Sequence, residues 1–197
     1  METSNSTNDP TDPGAWERLG DNTVDNFRIF QVRRSRFRHL RENRESEFIV
    51  IDANDWVNVV ALTPDHEVVL VRQFRFGRHD FFLEIPGGMI ERGEDPVVAG
   101  VRELREETGY EGTAARLLGS VHPNPAIQSN TMHVVLVEGA CKVGPTNFDI
   151  NEEIETSLVP ASRIMEWVRE GKITHSLVLN ALFFMNDWLE TRSGPSV

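Results

Sequence analysis

The alternation of apolar and polar positions predicts a chain rich in β-strands. Three runs before residue 53 predict two or three antiparallel strands, at 24–32, 35–40 and 47–51. Six later runs predict six more strands, at 56–62, 67–74, 81–85, 116–121, 133–137 and 154–159. The first two of these six flank a short polar turn with Pro64 at a favoured position, so they are predicted to form a hairpin.

Helical spacing replaces this alternation between residues 95 and 109. Asp95 followed by Pro96 predicts the start of a helix, because aspartate caps helices and proline suits their first position. Gly109 suits the left-handed residue that ends a helix. Three apolar residues at helical spacing predict the stripe that packs on a sheet, namely Val97, Val101 and Leu104.

Two further helices are predicted near the end of the chain. The first spans 161–170, stops at Gly171 and has Ile164, Trp167 and Val168 on one side. The second spans 175–189, and its stripe is predicted to contain Leu179, Leu182, Phe183 and Asn186. Strands and helices together predict the α+β class.

The balance of charges excludes several classes of function. The 197 residues include 31 acidic and 20 basic side chains, and a formal charge of −11 repels nucleic-acid phosphate and anionic lipid. We therefore expect no nucleic-acid partner. No apolar run approaches the roughly 20 residues needed to cross a bilayer, so no membrane partner is expected either.

Two features predict a cytoplasmic protein. The single cysteine, Cys141, cannot form an internal disulfide, and this fits a reducing compartment. Residues 1–14 have neither the basic start nor the apolar segment of a secretory signal, and we expect them to be a loose tail.

The N-terminal strands contain an arginine cluster in an otherwise acidic chain, made of Arg28, Arg33, Arg34, Arg36, Arg38, Arg41 and Arg44. One interpretation is a solvated strand face, because charged side chains stay exposed. The other is local attraction for a small anionic ligand or an acidic partner subunit. The same strands carry phenylalanines that need somewhere to bury, namely Phe27, Phe30 and Phe37.

Three glutamates of the central helix share one face. Glu103, Glu106 and Glu107 are three and four positions apart, so at about 100° per residue their carboxylates converge. Arg102 and Arg105 can compensate their repulsion on an ordinary surface helix. Alternatively, a divalent cation sits among the oxygens, with a carbonyl of the preceding glycine turn as a further hard ligand. The second interpretation predicts phosphate chemistry.

This segment resembles the Nudix box. In that motif a glycine, five residues, a glutamate and seven residues precede Arg-Glu-apolar-x-Glu-Glu-x-Gly-apolar. The positions are met in order by Gly88, Glu94, Arg102, Glu103, Leu104, Glu106, Glu107, Gly109 and Tyr110. Ion pairing on a surface helix requires neither the glycines nor a glutamate at the position of Glu94. The resemblance therefore favours a metal site over an ordinary surface helix. Within it, Arg102 and Glu94 look like the pair that holds loop and helix together.

The resemblance implies a fold, an activity and a metal. The fold is the Nudix fold, a mixed β-sheet sandwiched between helices, here with an N-terminal antiparallel β extension. The activity is hydrolysis of a nucleoside diphosphate linked to another moiety, with Mg²⁺ or Mn²⁺ between the carboxylates and the pyrophosphate. The implied metal ligands are Glu103, Glu107, the additional Glu106 and the carbonyl of Gly87; Glu103 and Glu107 are also the implied catalytic residues.

The general base of the family is a glutamate on a late loop. Glu152 and Glu153 are the nearest candidates, while Ile150 stands near where one alignment would place the base. We predict that Glu152 is the catalytic base. The alternative is that both glutamates cap the strand beginning at Ile154 and the metal cluster alone activates water.

Beyond the box, residues 16–189 look like the ADP-ribose pyrophosphatase branch of the family. The N-terminal strands are followed in that branch's order by 55–60, 71–75 and 84–88, and then by Pro125. This implies hydrolysis of ADP-ribose, or a related nucleoside diphosphate sugar, to a nucleoside monophosphate and a sugar phosphate.

The same resemblance implies the substrate-binding residues Trp56, Arg75 and Met89. Trp56 would stack on adenine, whereas the alternative is a core tryptophan leading a buried strand. Arg72 and Arg75 point to opposite strand faces, so only one faces the site, and Arg75 is predicted to contact phosphates or ribose.

Some features depart from the branch. Its members often have Ser-Pro-Gly where this chain has Asn124-Pro125-Ala126-Ile127-Gln128, so we expect the pocket for the second moiety to differ. The six histidines are scattered and predict neither a metal ligand nor a Ser/His/Asp arrangement. Two alternatives therefore stay open, namely hydrolysis of another diphosphate (a dinucleoside polyphosphate, an oxidised nucleoside triphosphate or a coenzyme derivative) and a non-catalytic nucleotide-sugar sensor.

The branch also implies a homodimer in which the N-terminal strands pack across the partner. The predicted organisation is a disordered tail at 1–15, N-terminal strands for dimerisation and substrate contacts at 16–52, the Nudix hydrolase domain at 53–191 and a flexible tail at 192–197.

Overall fold

The computed structural model describes residues 15–147 and 153–193 and divides them into two compact units. The first unit contains residues 15–53 together with 124–130, and the second contains the rest. In the described part of the chain, no helix is both long and apolar enough to cross a membrane. The cytoplasmic location stays a prediction.

The first unit is built on a three-stranded antiparallel sheet in sequential order, with β1 (Trp16–Asn26), β2 (Phe30–His39) and β3 (Glu45–Ala53). The strand predicted at 24–32 is wrong. The chain turns there, and the Phe27 N–H donates to the Phe30 carbonyl at 2.9 Å. Phe27 and Ile29 are exposed at this turn, so their apolar character imitates a strand without belonging to one.

Residues 124–130 lie along β3. The Ile51 N–H donates to the Ile127 carbonyl at 2.7 Å, and the Ser129 N–H donates to the Ile51 carbonyl at 3.1 Å. The segment that departs from the ADP-ribose pyrophosphatase pattern is therefore bound to the N-terminal sheet by backbone hydrogen bonds.

Four of the seven clustered arginines are paired with nearby acids of this unit. Arg33 contacts Asp21 at 3.0 Å, and Arg38 contacts Glu45 at 2.9 Å. Arg34 and Arg44 are paired in the same way. This neutralisation favours a solvated strand face over an attractor for anions.

The second unit contains a seven-stranded mixed sheet and a separate two-stranded one. Along the chain its strands are β4 (Trp56–Leu62), β5 (Glu67–Arg75), β6 (Asp80–Glu84), β7 (Gly87–Met89), β8 (Tyr110–Glu111), β9 (Ala114–Val121), β10 (Met132–Glu138), β11 (Cys141–Lys142) and β12 (Ile154–Pro160). The large sheet has the order β12-β5-β4-β10-β9, with β6 on β5 and β7 on β4, while β8 pairs with β11. The β4–β10 pair is parallel. The predicted β4–β5 hairpin is confirmed.

Helices cover both faces of the large sheet. They are α1 (Pro96–Thr108), α2 (Ile164–Arg169), which follows a 3₁₀ turn at Ala161–Arg163, and α3 (Ser176–Ser193). Val59 of β4 belongs to the core cluster that contains Leu104 of α1, and Val60 belongs to the cluster that contains Leu182 of α3. Successive residues of a strand point to opposite faces, so the sheet lies between helices as predicted.

The packed sides of two helices differ from the predicted stripes. On α1, Val101 is 36% exposed, and small Ala99 is buried beside Leu104. On α3, Phe183 is 67% exposed, and the buried residues are Val178, Ala181, Leu182 and Met185. On α1 the prediction gave weight to large apolar residues, whereas the helix approaches the sheet through Gly100 and Ala99.

The arrangement of β5, β6 and β7 positions the glycine turn. β4 and β5 pair only at Leu62 and Val68; beyond that point β6 pairs with β5 and β7 pairs with β4. The chain between Glu84 and Gly87 therefore crosses from one strand to the other where they separate. Gly87 ends up on β4, beside α1.

Candidate active site

Local signals fix both ends of α1. The Asp95 carboxylate accepts hydrogen bonds from the N–H groups of Val97 and Val98, with Pro96 in the first turn. At the other end Gly109 has φ 72°, and its N–H donates to the Arg105 carbonyl. The predicted start and end of this helix are confirmed.

Glu107 is bound to the glycine turn. Its carboxylate accepts a hydrogen bond of 3.0 Å from the Gly87 N–H, and the residue is only 5% exposed. A buried carboxylate is costly unless it is paired, so this bond fixes α1 against β7.

Glu103 packs directly on the next glycine. A Cβ atom on Gly88 would lie 2.5 Å from the Glu103 carboxyl carbon, so a larger residue would displace that carboxylate. The structure thus brings Gly87, Gly88, Glu103 and Glu107 together. Glu106 lies one helical turn after Arg102 and pairs with it. We call Glu103, Glu106 and Glu107 the glutamate cluster.

One arginine serves two carboxylates of the glutamate cluster. Arg102 Nη1 donates to Glu103 at 2.8 Å and to Glu106 at 3.1 Å. Its Nε and Nη2 each donate to Glu94 at 3.0 Å, and Nη2 also donates to the Met89 carbonyl at 3.1 Å. The predicted Arg102–Glu94 pair between loop and helix is confirmed.

The charges of this pair stabilise each other. The hydrogen bond from Arg102 lowers the pKa of Glu94, against the opposing effect of burial. The hydrogen bond to Glu94 is the main cause that raises the pKa of Arg102. Arg105 does not join them, because it pairs with Glu111 at 2.8 Å and donates to the Pro145 carbonyl.

The chemistry of the donor set fits a hard divalent cation, because Mg²⁺ and Mn²⁺ prefer carboxylate and carbonyl oxygens. Glu107 and Glu103 lie against Gly87 and Gly88, and Arg102 pairs with Glu103 and Glu106. Within residues 15–147 and 153–193, no three Asp, Glu, His or Cys side chains form a ready metal-binding group. Glu103 and Glu106 face Arg102 and Glu107 faces the Gly87 N–H, so protein donors hold the carboxylates of the glutamate cluster.

Two of the predicted substrate-binding residues are neighbours on the sheet. Trp56 of β4 pairs in register with Met89 of β7. Trp56 is half-buried and packs against the α3-side core, as its alternative interpretation predicted, whereas Met89 is 42% exposed. The substrate roles of both residues stay predictions.

Arg75 has a different neighbour, which sequence reasoning did not assign a role. Its Nε and Nη2 donate to the two oxygens of Glu84 at 2.8 and 2.6 Å, and His175 Nδ1 lies 3.2 Å from Glu84 Oε2. Burial raises the pKa of Glu84, but the hydrogen bonds from Arg75 and His175 outweigh it and lower the pKa to about 2. The available signal was an acid between Leu83 and Ile85, which needs a partner when buried.

The predicted base, Glu152, and the neighbouring Ile150 lie outside the described residues. Glu153 is described, is exposed and directly precedes β12. The role of Glu152 stays a prediction.

A Ser/His/Asp row does occur in the second unit, although the sequence predicted none. Ser120 Oγ lies 2.8 Å from His133 Nδ1, and His133 Nε2 lies 3.7 Å from Asp55. Sheet pairing accounts for it, because Ser120 and His133 are cross-strand partners on β9 and β10. Asp55 also accepts a hydrogen bond of 2.7 Å from the Thr131 N–H. Asp55 directly precedes β4 and Thr131 directly precedes β10, so this contact links the starts of two neighbouring strands.

Comparisons with known proteins identify the family of the chain. The NUDIX domain family matches residues 54–177, which is more than half of the chain. The methanol dehydrogenase activator of Bacillus methanolicus is 30% identical over 130 residues, covering 66% of this chain and 70% of that protein. The ADP-sugar pyrophosphatase of Mus musculus is 45% identical over 87 residues, covering 44% of this chain and 40% of that protein.

Two further likenesses concern the branch and the fold. The ADP-ribose pyrophosphatase of Bacillus subtilis is 35% identical over 82 residues, covering 42% of this chain and 44% of that protein. This chain thus spans less than half the length of the mouse and B. subtilis relatives. A crystal structure of an ADP compounds hydrolase has a TM-score of 0.80 at 22% identity, covering 91% of this chain and 96% of that one, and supports the fold. The chain therefore belongs to the Nudix hydrolase family and is similar to its ADP-ribose pyrophosphatase branch.

Proposed function

We propose that this protein hydrolyses the pyrophosphate bond of ADP-ribose, or of a related nucleoside diphosphate sugar, with Mg²⁺ or Mn²⁺. The observation that carries the proposal is the glutamate cluster packed against Gly87 and Gly88, with Arg102 between two of its carboxylates. Two relatives named for ADP-sugar and ADP-ribose pyrophosphatase activity support the substrate class.

The reaction divides among the residues as follows. Glu103, Glu106, Glu107 and the Gly87 carbonyl would hold the cation. When bound, the cation polarises phosphate oxygens and lowers the pKa of the attacking water. The water oxygen forms a bond to one phosphorus, the bond from that phosphorus to the bridging oxygen breaks, and the water proton passes to a base, for which we propose Glu152.

The remaining predicted residues would hold the substrate. Arg75 carries a fixed positive charge that suits a diphosphate or ribose, and its side chain is 42% exposed. Trp56 offers an aromatic face for adenine, and Met89 stands beside it in register. Substrate charge would be shared between Arg75 and the bound cation.

A substrate panel tests the proposal. ADP-ribose, other nucleoside diphosphate sugars, dinucleoside polyphosphates and nucleoside triphosphates are each incubated with Mg²⁺, with Mn²⁺ and with chelator, and the products are separated by ion exchange. We expect metal-dependent release of AMP and ribose phosphate from ADP-ribose. Hydrolysis in ¹⁸O-labelled water then shows by mass which phosphorus was attacked. Turnover centred on another substrate class would overturn the substrate proposal and keep the metal chemistry.

A regulatory role is a second candidate. The relative that matches over 70% of its own length is named as an activator of methanol dehydrogenase, and not as a pyrophosphatase. The same panel separates the two, because a sensor would bind one nucleotide tightly without releasing monophosphate.

We also propose that the protein is a homodimer. The N-terminal strand unit exposes several large apolar residues that a partner could cover, namely Val24, Phe27, Ile29, Phe48 and Ile49. Sedimentation equilibrium of the full chain is expected to give twice the 22.4 kDa of one subunit. A single species at 22.4 kDa across micromolar concentrations would overturn this proposal.

A further inference from the structure

Glu84 is a buried carboxylate outside the glutamate cluster. The residue is 2% exposed and lies at the end of β6, three positions before Gly87. An unpaired buried carboxylate is strongly destabilising, so the fold requires partners for Glu84. Those partners are the guanidinium of Arg75 and the imidazole of His175.

Strand pairing explains why Arg75 reaches Glu84. Glu84 is the register partner of Val71, and Arg75 is four residues further along β5, on the same side of the strand. Two parallel N–H···O bonds then fix both the position and the plane of the guanidinium. A single-point contact would leave that plane free to rotate.

His175 reaches Glu84 from the start of α3. Its carbonyl accepts the Leu179 N–H at 3.0 Å, and Ile173, two residues earlier, is buried in the core. The backbone of His175 is therefore fixed on both sides. Because an ionised carboxylate can only accept, His175 Nδ1 must carry the proton in this contact.

We propose that Glu84 and His175 are positioning residues that hold the Arg75 guanidinium in one orientation for contact with the diphosphate or ribose of the substrate. The inference rests on the proposed function. His175 acts at one remove, through the Glu84 carboxylate that its Nδ1 contacts. It restrains the Glu84 oxygen that accepts from Arg75 Nη2, so both contacts share a single atom, Oε2.

The test compares two substitutions of His175. His175→Ala removes the donor to Glu84, whereas His175→Asn keeps an amide N–H close to the position of Nδ1. We expect H175A to raise KM for ADP-ribose about tenfold with kcat within about twofold, because binding that is equal in ground and transition states is lost. H175N should restore KM to within about threefold of the wild type. His122→Ala, an exposed histidine directly after β9, is the matched control and should change neither constant.

A second readout does not depend on turnover. In wild-type protein the Arg75 Nε–H proton is hydrogen-bonded to Glu84 Oε1, so its ¹⁵N-resolved NMR signal should exchange slowly with water. We expect that signal to be lost by fast exchange in H175A and retained in H175N, with both variants folded by circular dichroism.

The outcomes separate the inference from the function on which it rests. Unchanged KM in H175A, or a retained Arg75 signal, would overturn the positioning role while the panel result stands. If the wild type hydrolyses nothing in the panel, the proposed function is overturned, and the Arg75 signal alone decides the positioning role. A kcat that falls as far as KM rises would also overturn it, because that pattern points to the reacting atoms.

Discussion

Glu107→Gln is expected to lower kcat for ADP-ribose by about 10³-fold or more while the fold is retained. A bound cation stabilises the charge of the transition state by several kcal/mol, and each 1.4 kcal/mol is about a factor of ten in rate. Glutamine keeps the size of the side chain and a carbonyl oxygen for the Gly87 N–H, but it loses the negative charge. The rate should therefore fall without loss of the α1–β7 contact.

Stability measurements sharpen this prediction. The three carboxylates of the glutamate cluster repel one another, so removing one charge should leave the melting temperature without metal unchanged or raised. Added Mg²⁺ should raise the melting temperature of the wild type more than that of E107Q, because a ligand stabilises the state that binds it. Glu111→Gln is the control, since Glu111 is half-exposed and pairs with Arg105 beyond the end of the helix.

The result also decides between enzyme and sensor. If E107Q keeps more than about a tenth of the wild-type kcat, Glu107 is not an essential ligand and the proposed chemistry is wrong. If the wild type turns over ADP-ribose and E107Q does not, the non-catalytic sensor is excluded, because binding alone releases no monophosphate.

Local signals made α1 predictable. Asp95, Pro96 and Gly109 define its ends through capping, which acts over three or four residues and is visible in the sequence. Helix geometry also predicted that Glu103, Glu106 and Glu107 share one face. In the described residues these carboxylates face Arg102 and the Gly87 N–H and form no three-ligand metal group, so their role as metal ligands stays a prediction.

The packing of the helices was less predictable. Gly100 of α1 lies so close to β10 that a Cβ atom there would be 3.1 Å from Val135. Close approach through Gly100 and Ala99 decides which side of α1 is buried, and a search for large apolar residues overlooks it. In α3 apolar residues surround the helix, so several stripes fit the spacing and Phe183 was wrongly placed on the packed side.

Long-range polar contacts were not predictable at all. Glu84 and His175 are 91 residues apart, and no periodicity or spacing connects them. Their pairing depends on the crossing of β6 to β7 and on the start of α3, and both are properties of the assembled fold. The local sequence showed only that an acidic residue, Glu84, lies between Leu83 and Ile85.

Glu84→Gln is expected to be the substitution that most changes the dependence of stability on pH. The pKa of Glu84 is about 2 in the folded protein against an ordinary value of 4.5. That difference corresponds to roughly 3 kcal/mol of folding free energy at neutral pH. Because the folded pKa is the lower one, the contribution is complete above pH 4.5 and is lost as the pH falls towards 2.

Urea unfolding at several pH values measures this contribution. At pH 7 we expect the free energy of unfolding of E84Q to be about 3 kcal/mol lower than that of the wild type. This difference between the two proteins should narrow steadily between pH 4.5 and pH 2. Glu155→Gln is the matched control: Glu155 also pairs with an arginine of β5, Arg72, at 3.0 Å, but its side chain is 75% exposed. Exposed pairs contribute about 0–1 kcal/mol, so E155Q should stay close to the wild type at every pH.

The shape of the pH curve separates the effect of the Glu84 charge from the effect of its packing. A gap between wild type and E84Q that stays constant from pH 7 to pH 3 would mean that packing of the side chain, and not its charge, stabilises β6 against β5. A gap that closes in the predicted window would show that Glu84 stays ionised in the folded protein down to about pH 2. Arg75 would then face a permanent negative charge, so the orientation of its guanidinium would not vary across the pH range in which a diphosphate substrate keeps its own charge.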